Sequence, residues 1–396
     1  MMVMDILKTV GIAFGYFFAN PLLYVGLIII LVVANYRIKI ERQSFHTRVY
    51  SRKADFLLPF WPSLLAGICI SIVAFGLGVV VNIPILILMV GLYALAILTT
   101  NFRWVSPVTI LGFTTVILMV GPLIQGQNSF SDLFQSIADT SISALFTLLL
   151  VFLIAEAFLI IKNGSKHTSP RLVKSKRGKW IGVHKQKRLW IVPVVLFIPE
   201  GLLPTFEFWP VFTTGELSLQ PVFVPFLVGF QHIVKSALPE WAIKRIGKKL
   251  LILALLAIPF AVVGYFYPIV AVVAAVIIFA LREWMMLSEK NNEEKLSKYF
   301  TELKEGCKIL GVLPNSPADK MELKVGETIA KVNGRMVQNQ DEFYHALQVN
   351  SAFCKLEVLD YAGEVRFAQG AIYVGEHHQL GVLLVKTEQA LQNSVI

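Results

Sequence analysis

The sequence predicts an α-helical polytopic membrane domain followed by a C-terminal α+β domain. Three observations carry this. The 396-residue chain is 56% hydrophobic and only 16% charged, with a mean hydropathy of +0.66. That is too apolar for a soluble globular chain of this length. Apolar runs near the ~20 residues that a helix needs to cross a bilayer recur up to residue 282. Beyond it the pattern shifts to short strand-like runs separated by turn residues. The expected organisation is a transmembrane domain over 1–285 with about seven to nine spans, a linker over 286–302, a folded domain over 303–387 and a tail over 388–396.

Candidate spans fall at 20–36, 60–81, 83–100, 105–124, 140–161, 190–212, 217–234, 250–266 and 268–282, several of them short or interrupted by proline. Residues 6–18 are too short to span alone; they extend the first span or lie at the interface. The net charge of +10 is unevenly spread: 24 Lys/Arg and 10 Asp/Glu precede Glu283, against 12 and 16 from Glu283 onward. The basicity therefore belongs to the membrane half and reads as topology, not as nucleic-acid binding. Loop 37–53 has six Lys/Arg, loop 162–188 has ten and no acid, and loop 235–249 has five. The alternate loops 81–84, 125–139 and 213–221 have none. This positive-inside pattern places the basic loops and the C-terminal domain in the cytoplasm. Loop parity puts the N-terminus outside, with Lys8 pulling the other way. Loop 162–188 holds more charge than topology needs, which leaves contact with anionic membrane lipids or a partner open beside the topogenic role.

Ionisable residues within spans are functional candidates by default. Glu156 lies near the cytoplasmic end of its span, where snorkelling to the interface accounts for it. Glu200, between Pro199 and Pro204, fits either a broken helix lining a cavity or an interfacial kink. His232 reads as interfacial. Cys69, Cys307 and Cys354 form neither a CxxC pair nor a Cys/His cluster, so no disulfide framework or metal site is indicated. The early apolar run has no small-residue cleavage site, so no cleavable signal peptide is read. None of the seven histidines has HExxH spacing, and no serine-protease domain, phosphate loop or dinucleotide fingerprint is present. A non-enzymatic protein without cofactors is expected.

The C-terminal elements follow from local signals. "CKILGVL" reads as a strand. In "PNSPADKM" Ser316 suits an N-cap and Pro317 the first helical position. Asn333-Gly334 in "ETIAKVNGRMV" marks a tight turn between strands. "NQDEFYHALQ" is a helix capped by Asn339, with Phe343, Ala346 and Leu347 on one face. "AFCKLEVLD" and "EVRFAQGAIYV" form a hairpin around "YAGE", and "HHQLGVLLV" follows.

The "SPA" turn, "VGETIAKVNG" and the helix after it resemble a PDZ domain of the bacterial, circularly permuted type. Leu380-Gly381-Val382 is similar to that family's carboxylate-binding loop. The resemblance implies that a peptide adds as a strand beside 380–385, with backbone near His378, Gln379, Leu380, Gly381 and Val382 holding its end and Phe343, Ala346 and Leu347 supplying the side-chain pocket. A plain core strand with no working groove is the alternative.

The polytopic N-terminal region, the basic first loop "ERQSFHTRVYSRKADF" and a single C-terminal domain of this kind together resemble the MinJ family of division-site topological determinants of rod-shaped Firmicutes. That resemblance implies a multi-pass protein of the cell membrane, found at division septa and poles, that adapts the polar protein DivIVA to MinD, and so to MinC, and restricts FtsZ ring assembly to midcell. Two rivals stand beside it. One is a transporter or channel with a regulatory PDZ domain and Glu200 on its path. The other is a protease-related regulator without a recognisable active site.

Overall fold

The computed structural model describes residues 2–120, 141–205, 209–212, 218–303, 305–350, 353–371 and 380–385. Its helices in the N-terminal part are α1 (Met2–Ala19), α2 (Pro21–Phe45), α3 (Ala54–Leu77), α4 (Ile83–Leu98), α5 (Pro107–Val120) and α6 (Ile142–Leu159), followed after a strand region by α7 (Pro239–Phe266) and α8 (Pro268–Lys295). Among the described residues five helices are long and apolar enough to cross a membrane: α2, α3, α6 with its terminal turn to Gly164, α7 and α8. The apolar helices α4 and α5 are shorter. Local chemistry sets the ends. Asn20 caps α2 by accepting from the Leu22 amide at 3.0 Å, with Pro21 in the first turn. Gly78, at φ +62°, closes α3 in the left-handed conformation. Exposed Leu57, Trp61, Ile72, Leu256 and Phe266 give the bundle an apolar outside, as membrane insertion requires. Loop 125–139 lies outside the described residues.

Two expected spans are not helices. Residues 190–212 and 217–234 fall largely on β2 (Trp180–Pro204) and β3 (Ser218–Val234), a long antiparallel ribbon joined at its basic end by β1 (Ser169–Lys174). Proline together with β-forming composition accounts for the difference. Pro193, Pro199, Pro204, Pro221 and Pro225 recur at intervals too short for an unbroken spanning helix, and the residues between them are mostly β-branched or aromatic. One face of the ribbon is fully buried: Trp190, Val192, Val194, Leu196, Phe226, Val228 and Phe230 share it and join the membrane part's main core, while Ile191, Pro193 and Val195 on the other face are half-buried. Phe152 of α6 meets Phe226 with ring centroids 4.5 Å apart.

In an apolar setting the ribbon's edges need partners for their backbone groups. Pro193 pairs with Pro225. Neither has an N–H, so this is a non-hydrogen-bonded pair and residues of its parity aim their amide positions outward. Pro199 and Pro221 share that parity and likewise bring no donor to the edge. Outward amides that do exist find acceptors: Val195 donates to Ser71 Oγ (2.9 Å), Phe197 to the Val79 carbonyl (3.2 Å) and Gly229 to the Val105 carbonyl. Tyr93 Oη donates to the Leu227 carbonyl (3.1 Å) and the Val81 amide to the Phe197 carbonyl (2.7 Å).

Buried ions fasten the end of the bundle that carries the basic loops. Glu156 is fully buried, so it does not snorkel. It pairs with buried Arg282 of α8 and accepts from Ser106 Oγ at 2.6 Å. Arg282 also meets Thr109 Oγ1 (3.0 Å) and Glu283, which pairs with Arg103. A second cluster orders the first basic loop. Arg37 bonds both Glu41 oxygens (2.8 and 2.9 Å), Asp55 (2.8 Å) and the Tyr50 carbonyl, while Glu41 accepts from the Val49 amide and Ser169 Oγ. His232, expected at an interface, is buried 4.0 Å from Glu293.

The C-terminal part contains β4 (Cys307–Val312), α9 (Pro317–Lys320), β5 (Thr328–Val332), β6 (Arg335–Met336), α10 (Gln340–Gln348), β7 (Phe353–Leu359), β8 (Val365–Ala371) and β9 (Val382–Leu384). Its sheet runs β8-β7-β5-β4-β9, with β6 on β5. This unit is seated on the ribbon. The Gly182 amide donates to the Phe300 carbonyl (2.8 Å), and a Cβ at Gly182 would come within 2.5 Å of Leu310. Phe45, Val49, Leu238, Phe300, Leu310 and Leu383 form one hydrophobic cluster across the junction. His184 lies buried there, 5.0 Å from the Phe300 ring, with Nδ1 2.9 Å from Thr168 Oγ1.

Two outcomes are expected. Glu156→Gln leaves Arg282 without its main buried partner and destabilises the membrane part by about 3 kcal/mol or more in thermal unfolding, whereas Glu156→Gln with Arg282→Met recovers much of the loss. Equal stability of the wild type and the single variant contradicts this. Burial holds the His184 imidazole down at about 3, so the seated state takes up no proton above that range. When the unit lifts off, the ring regains its ordinary pKa of about 6.5. Seating is then at full strength above pH 6.5 and weakens as pH falls toward 3. Corrected for intrinsic chemistry, hydrogen exchange at the Gly182 amide rises by up to about 30-fold at pH 5, and His184→Gln removes that rise.

Candidate functional site

The C-terminal unit folds from signals local to each element. Ser316 Oγ accepts from the Asp319 amide (3.3 Å), and Asp319 Oδ2 returns a bond to the Asn315 amide (2.8 Å). Asn333 and Gly334, at φ +49° and +83°, make the turn between β5 and β6. Asn339 Oδ1 caps α10 through the Glu342 amide at 2.9 Å. Asp360 Oδ1 accepts from Ala362 and Glu364 across the β7–β8 turn.

The residues singled out for peptide binding divide into three sets. Leu380, Val382, Phe343, Ala346 and Leu347 converge: all are buried in one cluster with Ile309, Ala318, Ile329 and Leu356. Their side chains pack the core, and only partly buried Tyr344 of α10 flanks it. Gly381 forms the entry to β9. Its φ of +89° suits glycine, and a Cβ would come within 2.2 Å of Ser316. The carbonyls of Leu380 and Gly381 accept from the Ala318 and Leu313 amides (2.9 and 2.8 Å), which fixes this loop against the "SPA" turn. His378 and Gln379 lie outside the described residues.

β9 is the end strand of its sheet. It pairs with β4 through Val382–Val312 and Leu384–Ile309, and no described strand covers its other edge. An uncovered strand edge is what an extended peptide recognises. The two neighbouring cysteines are buried. Burial pushes the Cys307 and Cys354 thiols up to about 12, far from thiolate at neutral pH. Among the described residues no cluster of three or more His, Cys, Asp or Glu is arranged to hold a metal.

Glu200 is far from this site in role. It is exposed at φ +68°, on the bulge between Pro199 and Leu203 near the far end of the ribbon. The structure instead draws attention to residues that the sequence reading passed over. Gly182, His184, Leu238 and Phe300 make the seat, and Ser316 and Leu313 support the 380–381 loop. Gly182 in a basic, apolar-poor stretch was the available signal for close approach; the remainder depends on contacts distant in sequence.

No protein-family profile matches the chain. The chain is 33% identical over 386 residues to the cell division topological determinant MinJ of Bacillus subtilis (strain 168), covering 97% of this chain and 96% of that protein. Probable cell division topological determinants MinJ of Lacticaseibacillus paracasei and Lacticaseibacillus casei (strain BD-II) are each 23% identical over 363 residues, covering 88% of this chain and 91% of theirs. With a likeness that runs the length of both chains, and apolar helices carrying a sheet-rich C-terminal unit, this chain belongs to the MinJ family of cell division topological determinants.

Proposed function

We propose that this chain is a non-enzymatic membrane adaptor of division-site selection. In this reading the basic loops and the C-terminal unit face the cytoplasm, the unit is a circularly permuted PDZ domain, and partners meet on it at septa and poles. The observation that carries the proposal is the chain-long likeness to MinJ. The adaptor links DivIVA to MinD, and so to MinC, and confines FtsZ ring assembly to midcell. The edge of β9 that no described strand covers, beside the 380–381 loop, supports peptide addition as an extra strand. Burial of Phe343, Ala346 and Leu347 argues that a bound side chain enters at the margin of their cluster, near Tyr344, and not deep between them.

The alternatives draw less support. A transporter reading expects Glu200 on a broken helix, and Glu200 lies instead on a bulge of the ribbon. A protease-related reading needs a catalytic motif, and the seven histidines lack HExxH spacing.

Fluorescence localisation of the full chain in a rod-shaped Gram-positive cell, with and without residues 300–396, tests the proposal. The full chain is expected at septa and poles, and the truncation is expected to insert but lose its partners. A uniform membrane signal from both contradicts the adaptor reading. A Gly381→Ala chain is expected to insert and yet recruit partners poorly, because its loop combines a strained φ with the Ser316 contact, a cost of about 1–3 kcal/mol. Normal recruitment by that variant removes the 380–381 loop from the binding site.

A further inference from the structure

The ten Lys/Arg of 162–188 do not all act alike. Arg188 is consumed by the Asn163 and Lys166 carbonyls at the end of α6. Lys187 lies 4.0 Å from the Phe102 ring centroid, and Arg171 lies over Tyr36. These sit at the base of the ribbon and fit the topogenic role. The tip of the β1–β2 hairpin is different. Lys174, Lys176, Arg177 and Lys179 are all exposed there, and none forms a salt bridge among the described residues. Lys176 lies within the field of Glu294, but that carboxylate is already paired with Lys235. The tip is ordered. Ser175 donates to the Lys179 carbonyl (2.8 Å), Gly178 to the Ser175 carbonyl (2.9 Å), and Lys174 rests 5.4 Å from the Trp180 ring centroid. Four cations are thus held on a preformed turn, which lowers the entropic cost of engaging them.

Their height selects the partner. Arg282, at the buried ionic end of the bundle, lies twelve residues before Glu294 on the same helix, a rise of about 18 Å. Lys187, level with Phe102, lies seven residues from Trp180 along β2, about 23 Å of strand. The headgroup layer is only about 5–8 Å deep on each side. The tip is thus carried past the ionic end of the bundle, to the level of Glu294 and the C-terminal unit. That neighbouring part is acidic, with 16 Asp/Glu against 12 Lys/Arg from Glu283 onward, which disfavours an extended polyanion alongside it.

We infer that the β1–β2 tip is a docking site for a short acidic segment of a soluble partner protein, separate from the edge of β9. The inference rests on the cytoplasmic placement proposed above and not on the groove.

The test uses the full chain in nanodiscs of zwitterionic phosphatidylcholine, open on both sides, so that its outcome is independent of orientation in the cell. The probe is a fluorescent Glu/Asp-rich peptide, with a Gln/Ser peptide of equal length as control. The acidic peptide is expected to bind, more weakly as salt rises, and about ten-fold or more weakly to a K174Q/K176Q/R177Q/K179Q chain. A K176R/K179R chain, which keeps the charge, is expected to bind as the wild type does. Undiminished binding by the Gln variant overturns the inference. So does a wild-type chain that ignores the peptide but is captured through the tip by phosphatidylglycerol vesicles, which makes the tip a lipid site.

Discussion

A β-ribbon inside a lipid-facing bundle has two edges, and every backbone group on them needs a partner that lipid cannot supply. The rest of this structure is arranged around that constraint. Pro193, Pro199, Pro221 and Pro225 remove donors at outward positions, and Ser71, Tyr93, Val79, Val81 and Val105 satisfy groups that remain. α3, α4 and the α4–α5 turn are thereby bound to the ribbon by hydrogen bonds as well as by packing. The same ribbon runs on past the bundle, where β1 joins it and the C-terminal unit rests on Gly182 and His184.

The consequence is a change in what the C-terminal unit is. It is not a module on a loose tether. α8 runs to Lys295, the Tyr299 amide donates to the Lys235 carbonyl (2.8 Å), and Phe300 is fully buried. Leu383 of β9 packs into the junction while Val382 and Leu384 pack into the unit's own core. The end strand of the sheet is thus also part of the seat. A unit seated this way presents its surfaces at a fixed orientation to the helical part, which suits a determinant of position. The ionic clusters around Glu156 and Glu41 hold the platform under it.

Legibility in the sequence followed the range of each interaction. The caps by Ser316 and Asn339 and the Asn333-Gly334 turn were readable because each involves neighbours within a few residues. Apolar runs were readable as membrane-seeking, but hydropathy averaged over a window carries no period, so two strands passed for spans. The proline spacing held a signal: residues 193, 199, 221 and 225 disfavour a regular helix and share one strand parity. Glu156 was read as snorkelling because its partner, Arg282, lies 126 residues away. Of the candidate site, Gly381 and the helix face were visible as a pattern. That the face is sealed core, and that β9 abuts the membrane part, depends on tertiary contacts that no local pattern encodes.

The central claim is that ribbon and C-terminal unit form one seated body. The most direct measurement is disulfide cross-linking in native membranes of a Pro170→Cys, Gly311→Cys chain lacking its natural cysteines. A Cβ at Gly311 would lie 3.3 Å from Pro170 Cγ, within reach of a disulfide. Rapid, near-complete cross-linking under mild oxidation is the predicted result. Two thiols that both react freely with a water-soluble maleimide yet fail to join would contradict the claim, and would make the C-terminal unit a tethered module.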